Sequence, residues 1–493
     1  MAQIGRLAKR SSLYFISNLL VVLAGAISLP LWTRLFTQEQ YGLFALFNVT
    51  IGFMVVFSKF GMQHAALRFY SDVHNEKSPT DPKTYFSTTV IGATCLSLIV
   101  TALVAVCAFL FFHGSRNQSF LVLLIPAGAV VIVRATTNVL MNILRAEQHA
   151  LLHSILHAAR RYGRLVAAVT MVLLLGIEVR NLYLGWLISG GLLAALLTAR
   201  LMRLRRLSFA AFSPSFFRQA LVYSFPMIWL ELSNSVLTLG DRYVLQYFMG
   251  PSAVGTYSVG YNAGSLAQSL LARPLRMAIV PMYLALWAKQ GAGATTDFLG
   301  KALGYYSMLG IPLALTLCWY RVDIVTLLAS SRYVESAEVL PFVIVGLILH
   351  GGYGVFAAGL YIHKKTKILM SSTLVAATVN IALNIVLIPR YGLLGAALST
   401  LIAYALLAVT IYVRANRLVK VPIDLFLIAK LTGLAVAALA LTTWLAGDQW
   451  IGVRLALVGL IYGALLFAVH KPLRTDGIAL WSSLKQRWGE KLK

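Results

Sequence analysis

The sequence predicts an all-α protein that crosses a membrane about fourteen times, and two observations support this. Hydrophobic residues make up 59% of the 493 residues and charged residues only 12%, whereas a soluble domain has roughly 45–50% and about 25%. The apolar residues also lie in runs of about twenty, the length at which a helix spans a bilayer. Little of the chain remains for a sizeable soluble domain.

Apolar runs separated by glycine, proline or charged residues define the predicted spans. They cover residues 11–36, 41–63, 86–113, 119–143, 150–176, 181–199, 217–240, 253–284, 302–328, 337–361, 367–388, 393–413, 423–446 and 450–469. We group them as an N-terminal six-helix bundle (1–206), a C-terminal six-helix bundle (207–420), two additional transmembrane helices (421–470) and a basic cytoplasmic tail (471–493). An even number of spans places both termini on one side of the membrane.

The net charge of +26 is distributed unevenly over the loops. Of the 42 lysines and arginines, 26 fall in loops on the side of the termini and five in the opposite loops. Lysine and arginine accumulate in cytoplasmic loops, so we expect both termini in the cytoplasm. Orientation explains these charges better than nucleic-acid binding does.

A weak internal repeat relates the two halves. The segment around Gly42, after the first span, resembles the segment around Gly255 at an offset of 213 residues, and Gly185 of the sixth span matches Gly395 of the twelfth at an offset of 210. The nearly constant offset predicts two six-helix bundles related as parallel repeats. In transporters, such repeats have the substrate site at their interface.

Four motifs resemble a known family by their order and spacing. They are Ser224-Phe225-Pro226, Asp241-Arg242-Tyr243, the segment from Gly250 to Ser258 and the segment from Ile388 to Ala397. They resemble the polysaccharide biosynthesis (Wzx-type oligosaccharide flippase) family of the multidrug/oligosaccharidyl-lipid/polysaccharide exporter superfamily. The resemblance implies two bundles around a central cavity, with the last two helices packed beside them. It also implies a protein of the bacterial inner membrane that transfers an undecaprenyl-diphosphate-linked oligosaccharide from the cytoplasmic to the periplasmic leaflet by alternating access. The oligosaccharide would be an O-antigen, capsule or exopolysaccharide repeat unit.

Basic residues inside the predicted spans are the candidate headgroup site. A charge at a helix centre costs at least about 2.5–3.5 kcal/mol, so such residues face a protein interior or a cavity. On the fifth span, the 100° helical period places six basic side chains on one face: His149, His153, His157, Arg160, Arg161 and Arg164. Arginine pairs phosphate oxygens bidentately. We therefore expect a diphosphate headgroup to be bound by Arg134, Arg160, Arg161, Arg164, Arg273, Arg276 and Lys59. The alternative is that some of them snorkel or bond helix carbonyls, and that Lys59 is an anchor.

Acidic residues are placed differently in the two halves. The first six spans contain no buried acid, which favours an anionic substrate over a cationic drug. Glu231 lies in the middle of the seventh span. It is a candidate coupling site for H⁺ or Na⁺ or, alternatively, the salt-bridge partner of a cavity arginine. Asp241 and Arg242 form a candidate gate or anchor pair. His153 and His157 are candidates for a partly protonated lining of the cavity. The coupling or gating candidates are therefore Glu231, Asp241, Arg242, His153 and His157.

Other function classes have weaker support. Arginines beside the histidine stripe would repel a metal dication, and the three cysteines lie in apolar runs, so we expect no metal site and no cofactor beyond a coupling ion. No Walker loop or nucleophile elbow occurs. The alternatives are a lipid II flippase, an ion-coupled small-molecule antiporter and, more distantly, a polytopic glycan polymerase or glycosyltransferase. Expected partners are the lipid-linked oligosaccharide, the bilayer and other polysaccharide-assembly membrane proteins, and no nucleic acid.

Overall fold

The computed structural model describes residues 2–75, 80–112 and 118–469, and the regular secondary structure of these ranges is entirely helical. This confirms the predicted all-α class. The predicted basic tail (471–493) lies outside the described residues. The helices are α1 (Ala2–Leu35), α2 (Gln38–Lys59), α3 (Met62–His74), α4 (Pro82–Phe112), α5 (Gln118–Ala146), α6 (Ala150–Leu175), α7 (Val179–Arg203), α8 (Pro214–Leu239), α9 (Asp241–Met249), α10 (Pro251–Trp319), α11 (Arg321–Leu328), α12 (Ser336–Gly351), α13 (Tyr353–Phe356), α14 (Ala358–Ile362), α15 (Thr366–Asn416), α16 (Leu425–Ala446) and α17 (Ile451–Val469), with 3-10 turns at Phe209–Ala211 and Ser331–Tyr333.

Helices α10 and α15 are each two antiparallel arms joined at a glycine. The 69 residues of α10 would extend about 100 Å as one rod. The chain instead folds back at Gly291 (φ 75°, ψ −159°), a backbone conformation that only glycine adopts readily. As a result, Gly310 of the second arm contacts the Leu271 side chain of the first. Gly392 (φ 57°, ψ −131°) folds α15 in the same way.

The described helices agree closely with the predicted spans. Ten helical stretches among the described residues are long and apolar enough to cross a membrane, and four of these contain a break: Gln38–His74, Pro251–Trp319, Ser336–Ile362 and Thr366–Asn416. Helices α6 and α8 have the length but are not among the ten, because charged and polar side chains lower their hydropathy. With the arms of α10 and α15 counted separately, the described residues form fourteen long helical arms, in agreement with the expected number.

Two predicted boundaries differ from the structure. The ninth span was expected over residues 302–328, but its helix ends at Trp319 and a separate helix, α11, follows. Asp323, in the first turn of α11, pairs with Arg454 of α17 at 3.0 Å and so ties this short helix to α17. The loop expected between the second and third spans, residues 64–85, is also partly helical, since α3 occupies its first half.

The last two helices pack beside α10. The Trp319 indole Nε1 donates to Thr443 Oγ1 of α16 at 3.2 Å, and the Tyr462 hydroxyl of α17 donates to the Met308 carbonyl at 2.9 Å. A small apolar cluster that includes Met308 and Leu431 joins the same helices. This position agrees with the arrangement that the family resemblance implies.

Turns between successive long arms lie alternately at two ends of the molecule, which we call the Thr37 end and the Gly61 end after the turns before and after α2. At the Thr37 end, Gly42 packs so closely on α10 that an added Cβ would lie 1.7 Å from the Pro251 carbonyl oxygen. Gly42 also contacts Gly255, its counterpart in the sequence repeat. The arrangement of two six-helix bundles as parallel repeats remains a prediction.

At the Gly61 end, the same helix meets α8. An added Cβ on Gly61 would lie 2.8 Å from the Ser224 Cβ, and the rings of Phe60 and Phe225 are 6.2 Å apart. Residues 2–206, the first half, therefore contact residues 207–420, the second half, at both ends of α2. Between these two contacts the halves separate and enclose a cavity.

Candidate substrate cavity

A central cavity of about 500 Å³ lies between the two halves. Its walls come from α1, α2, α5, α6 and α7 of the first half and from α8, α9 and α10 of the second. Its lining is rich in polar groups, including Asn48, Asn262 and several serines. The basic side chains that line it are Arg134, His157, Arg160, Arg161, Arg164 and Arg242.

A second compartment, which we call the inner chamber, has a volume of about 220 Å³ and lies between α2, α5, α6, α7 and α8. Valines form much of its wall, with Lys59, Asn138 and Glu231 as polar groups. Four residues line both compartments: Arg134, Arg160, Arg164 and Trp186. Three guanidinium groups and one indole thus stand at the boundary between the central cavity and the inner chamber.

Neutral side chains hold these arginines in place. The guanidinium carbon of Arg134 lies 5.8 Å from the ring centre of Trp186, and that of Arg164 lies 5.5 Å from it. Both distances are within the range of a cation–π interaction. Arg160 donates from Nη1 to Oδ1 of Asn138 at 3.0 Å. Trp186 is itself fixed by edge-to-face packing against Tyr183, at 5.4 Å between ring centres.

The three boundary arginines form no ion pair with a carboxylate among the described residues. Glu231 is the only acid among the described residues that line either compartment, and it pairs elsewhere. Cation–π contacts and an amide oxygen position the guanidiniums without cancelling their charge. Their hydrogen-bond donors and their positive field therefore remain available to an anion in the cavity.

Arg242, on the second-half wall, is neutralised. It is 2% exposed and forms a buried ion pair with the adjacent Asp241, which is 1% exposed. The Tyr257 hydroxyl donates to Asp241 Oδ2 at 2.6 Å. The guanidinium carbon of Arg242 lies 4.1 Å from the ring centre of Tyr261, so an acid and an aromatic ring satisfy this cation. The predicted pairing of Asp241 with Arg242 is thus seen in the structure, on the cavity wall; a gating role for it stays a prediction.

Glu231 pairs with a lysine rather than an arginine. The Lys59 ammonium forms an ion pair with Oε1 of Glu231, Gln63 Nε2 donates to Oε2 at 2.9 Å, and His64 Nε2 lies 3.9 Å from Oε2. Lys59 belongs to α2 and Glu231 to α8, so the contact joins the first half to the second half.

The remaining candidates lie apart from this group or at its margin. His157 lines the central cavity and stacks on His153, with ring centres 5.8 Å apart. Arg276 is exposed and lines neither compartment. The side chain of Arg273 lies outside the described part of the structure. Within the described residues, no group of three or more His, Cys, Asp or Glu side chains could hold a metal ion.

Sequence reasoning missed Trp186 and Asn138. Neither carries a charge, so a search for intramembrane cations passes over both. A signal was nevertheless present for Asn138, because it follows Arg134 by four residues and therefore shares its helix face. Trp186 had no comparable signal, since tryptophan in an apolar span is usually a packing residue.

Comparisons with known proteins show the family and the fold of the chain. A relative from Haloferax volcanii, "Probable low-salt glycan biosynthesis flippase Agl15", is 21% identical over 404 residues, 81% of each chain. A solved structure of the lipid II flippase MurJ in an inward closed conformation superposes with a TM-score of 0.77 at 16% identity, over 94% of this chain and 99% of that one.

An inward-facing multidrug resistance MATE family transporter of the MOP superfamily superposes with a TM-score of 0.65 at 15% identity, over 84% of this chain and 96% of that one. These structures share the fold of the chain. The family described as "Polysaccharide biosynthesis protein" matches residues 7–287. This multi-pass membrane protein belongs to the polysaccharide biosynthesis protein family.

Proposed function

We propose that the protein is a flippase that moves an undecaprenyl-diphosphate-linked oligosaccharide from the cytoplasmic to the periplasmic leaflet by alternating access. The observation that carries the proposal is the group of boundary arginines, Arg134, Arg160 and Arg164, which face the central cavity with no carboxylate partner among the described residues. Two relatives from Haloferax volcanii, named "Probable low-salt glycan biosynthesis flippase Agl15" and "Probable flippase AglR", support the same activity by their names.

The chemistry of the headgroup fits the cavity. A diphosphate leaves water only if charge-assisted donors replace its hydration, and the planar guanidinium fork matches phosphate oxygens in pairs. A volume of about 500 Å³ falls within the range of known ligand sites. The serine and asparagine lining can hydrogen-bond a glycan while the polyprenyl tail stays in lipid. The protein then acts as a transporter and needs no catalytic group.

Orientation follows from the distribution of charge. The turns at the Gly61 end carry basic clusters such as Arg203, Arg205 and Arg206, so this end faces the cytoplasm under the positive-inside rule. In a bacterial inner membrane, the substrate would enter from that side. The repeat unit would belong to an O-antigen, capsule or exopolysaccharide, and H⁺ or Na⁺ would be the coupling ion. Arg273 remains a proposed headgroup residue, and Arg276 remains one for a conformation other than the one described.

The test is translocation in proteoliposomes that contain the purified full-length protein. One fluorescent oligosaccharide is attached in turn to an undecaprenyl diphosphate, to an undecaprenyl monophosphate and to an uncharged polyprenol. We expect rapid transfer of the diphosphate form and slow transfer of the uncharged form. Equal transfer of all three would refute the role of the arginines. Uptake of a soluble cation with no lipid transfer would refute the flippase function and favour an antiporter.

A further inference from the structure

The inner chamber contains an ion pair that an incoming anion could exchange. We propose, on the basis of the proposed function, that the chamber is an anion subsite in which Glu231 substitutes for the substrate phosphate. When a diphosphate enters the chamber, the Lys59 ammonium breaks its ion pair with Glu231 and forms one with the phosphate. The loss of this pair releases α2 from α8 at the Gly61 end.

The position of Lys59 supports the exchange. Its side chain is 8% exposed and lines the same chamber as the three boundary arginines. A buried ammonium group is strongly destabilised when it loses its counter-ion, so Lys59 needs an anion at all times. Two anions can serve it there: the carboxylate of Glu231 or a phosphate held by the arginines. An exchange between them keeps Lys59 paired throughout.

Glu231 is suited to give up this partner. Its side chain is 30% exposed, against 8% for Lys59, so its carboxylate loses less hydration in the folded protein. Gln63 already donates to Oε2 at 2.9 Å, and His64 lies 3.9 Å from the same oxygen. After the exchange, Glu231 therefore keeps a hydrogen bond and access to water, whereas Lys59 gains a doubly charged group.

The exchange affects a contact between the two halves. Among the described residues, the acid–base contacts that join residues 2–206 to residues 207–420 all involve Glu231. The neighbouring contacts at the Gly61 end are Gly61 with Ser224 and Phe60 with Phe225. These are steric and apolar, so an anion does not change them directly. Breaking the ion pair removes the electrostatic attachment of α2 next to the chamber, whereas Gln63 and His64 of α3 stay beside Glu231.

The first experiment measures the affinity of purified full-length protein for inorganic pyrophosphate. Glu231→Gln removes the internal competitor and should tighten binding by about tenfold, the effect of one hydrogen bond to a charged group. Lys59→Gln should weaken binding by a similar factor. The matched control is Glu338→Gln, which makes the same charge change at an exposed residue outside both compartments and should leave the affinity unchanged.

The second experiment measures the separation of α2 from α8 with spin labels at Phe57→Cys and Val222→Cys, two exposed positions, after replacement of the native cysteines. Pyrophosphate should lengthen the distance in the otherwise wild-type protein. The charge-swapped Lys59→Glu/Glu231→Lys protein retains an ion pair between the same positions, so we expect it to fold and use it as the control for loss of structure. It should show a short distance and weak pyrophosphate binding, because a carboxylate replaces the ammonium on α2.

The outcomes separate the two proposals. If the wild-type protein binds pyrophosphate but Glu231→Gln binds it no more tightly, the exchange is wrong and the arginine site stands. An unchanged label distance on binding would also overturn the release of α2. If the wild-type protein binds no pyrophosphate, both the exchange and the headgroup part of the proposed function are refuted.

Discussion

The two walls of the central cavity both carry arginine, but only the arginine of the second-half wall has a carboxylate counter-charge. On the first-half wall, Arg134 and Arg164 are held by the indole of Trp186 and keep their charge. On the second-half wall, Arg242 is held by Asp241 and is neutralised. The first-half wall therefore presents a site for an anion, whereas the ion pair on the second-half wall stabilises the fold and offers no unpaired charge to a ligand.

The difference shows that position in a cavity does not by itself make an arginine a binding residue. A buried cation needs compensation, and a carboxylate provides it at the expense of affinity for other anions. An aromatic ring gives less stabilisation, about 0.5–2 kcal/mol, but leaves the guanidinium donors free. The choice of partner therefore separates binding arginines from structural ones.

Removal of all three boundary arginines should give the largest effect. The combined Arg134→Gln, Arg160→Gln and Arg164→Gln protein should lose at least about 100-fold in transport of a diphosphate-linked oligosaccharide, since each charge-assisted bond contributes about 1.5–3 kcal/mol. Membrane insertion should not suffer, because uncompensated charges are removed from the spans. Proteoliposome transport normalised to inserted protein measures this, with the triple Lys protein as charge-conserving control. A rate near that of the wild type would contradict the assignment.

Neutralising Asp241, the acid of the second-half wall, should lower the stability of the fold more than any of the other substitutions considered. Asp241→Asn leaves Arg242 buried with no counter-charge, so we expect the free energy of unfolding in detergent to fall by about 3–5 kcal/mol. Adding Arg242→Gln should recover much of the loss, since no uncompensated charge then remains. Thermal unfolding of both proteins provides the comparison, and an Asp241→Asn protein as stable as the wild type would show that the pair is not structural.

Trp186 should act through the arginines that it positions. Trp186→Leu removes both cation–π contacts and should weaken pyrophosphate binding by roughly 5- to 30-fold, whereas Trp186→Phe keeps an aromatic ring and should recover part of the affinity. A purely structural role predicts equal losses for the two variants, because each removes indole packing. Titration calorimetry of the two proteins side by side distinguishes these cases.

The smallest effect is expected at Arg276. Its side chain is exposed and lines neither compartment, so Arg276→Ala should change the free energy of unfolding by no more than about 0.5 kcal/mol and leave pyrophosphate binding unaltered. Binding and unfolding curves that overlay those of the wild type are the expected result. A marked loss of affinity would place part of the headgroup site in the second half.

The sequence predicted most of the fold because helix length and apolar runs are local properties. The fourteen predicted spans correspond to fourteen long helical arms in the described residues. The break at Tyr320 was missed, as was the ion pair that ties α11 to α17, which joins Asp323 and Arg454 across 131 residues. Long-range contacts of this kind leave no trace in a local hydropathy pattern.

The candidate site was predictable where it follows from one helix. The basic stripe of α6 is visible from the 100° period alone, and Arg160, Arg161 and Arg164 do line one cavity. The partners were not predictable, because the sequence does not say which helices are neighbours. Lys59 and Glu231 are 172 residues apart. The chemical similarity of Arg276 to the other arginines likewise gave no information on its distance from them.

The most direct test of the central claim is the position of the two phosphorus atoms in a structure of the protein with a bound undecaprenyl-diphosphate oligosaccharide. We expect phosphate oxygens about 2.7–2.9 Å from the guanidinium nitrogens of Arg134, Arg160 and Arg164, with the glycan in the central cavity. A diphosphate bound away from these three arginines, for example beside Arg276, would contradict it.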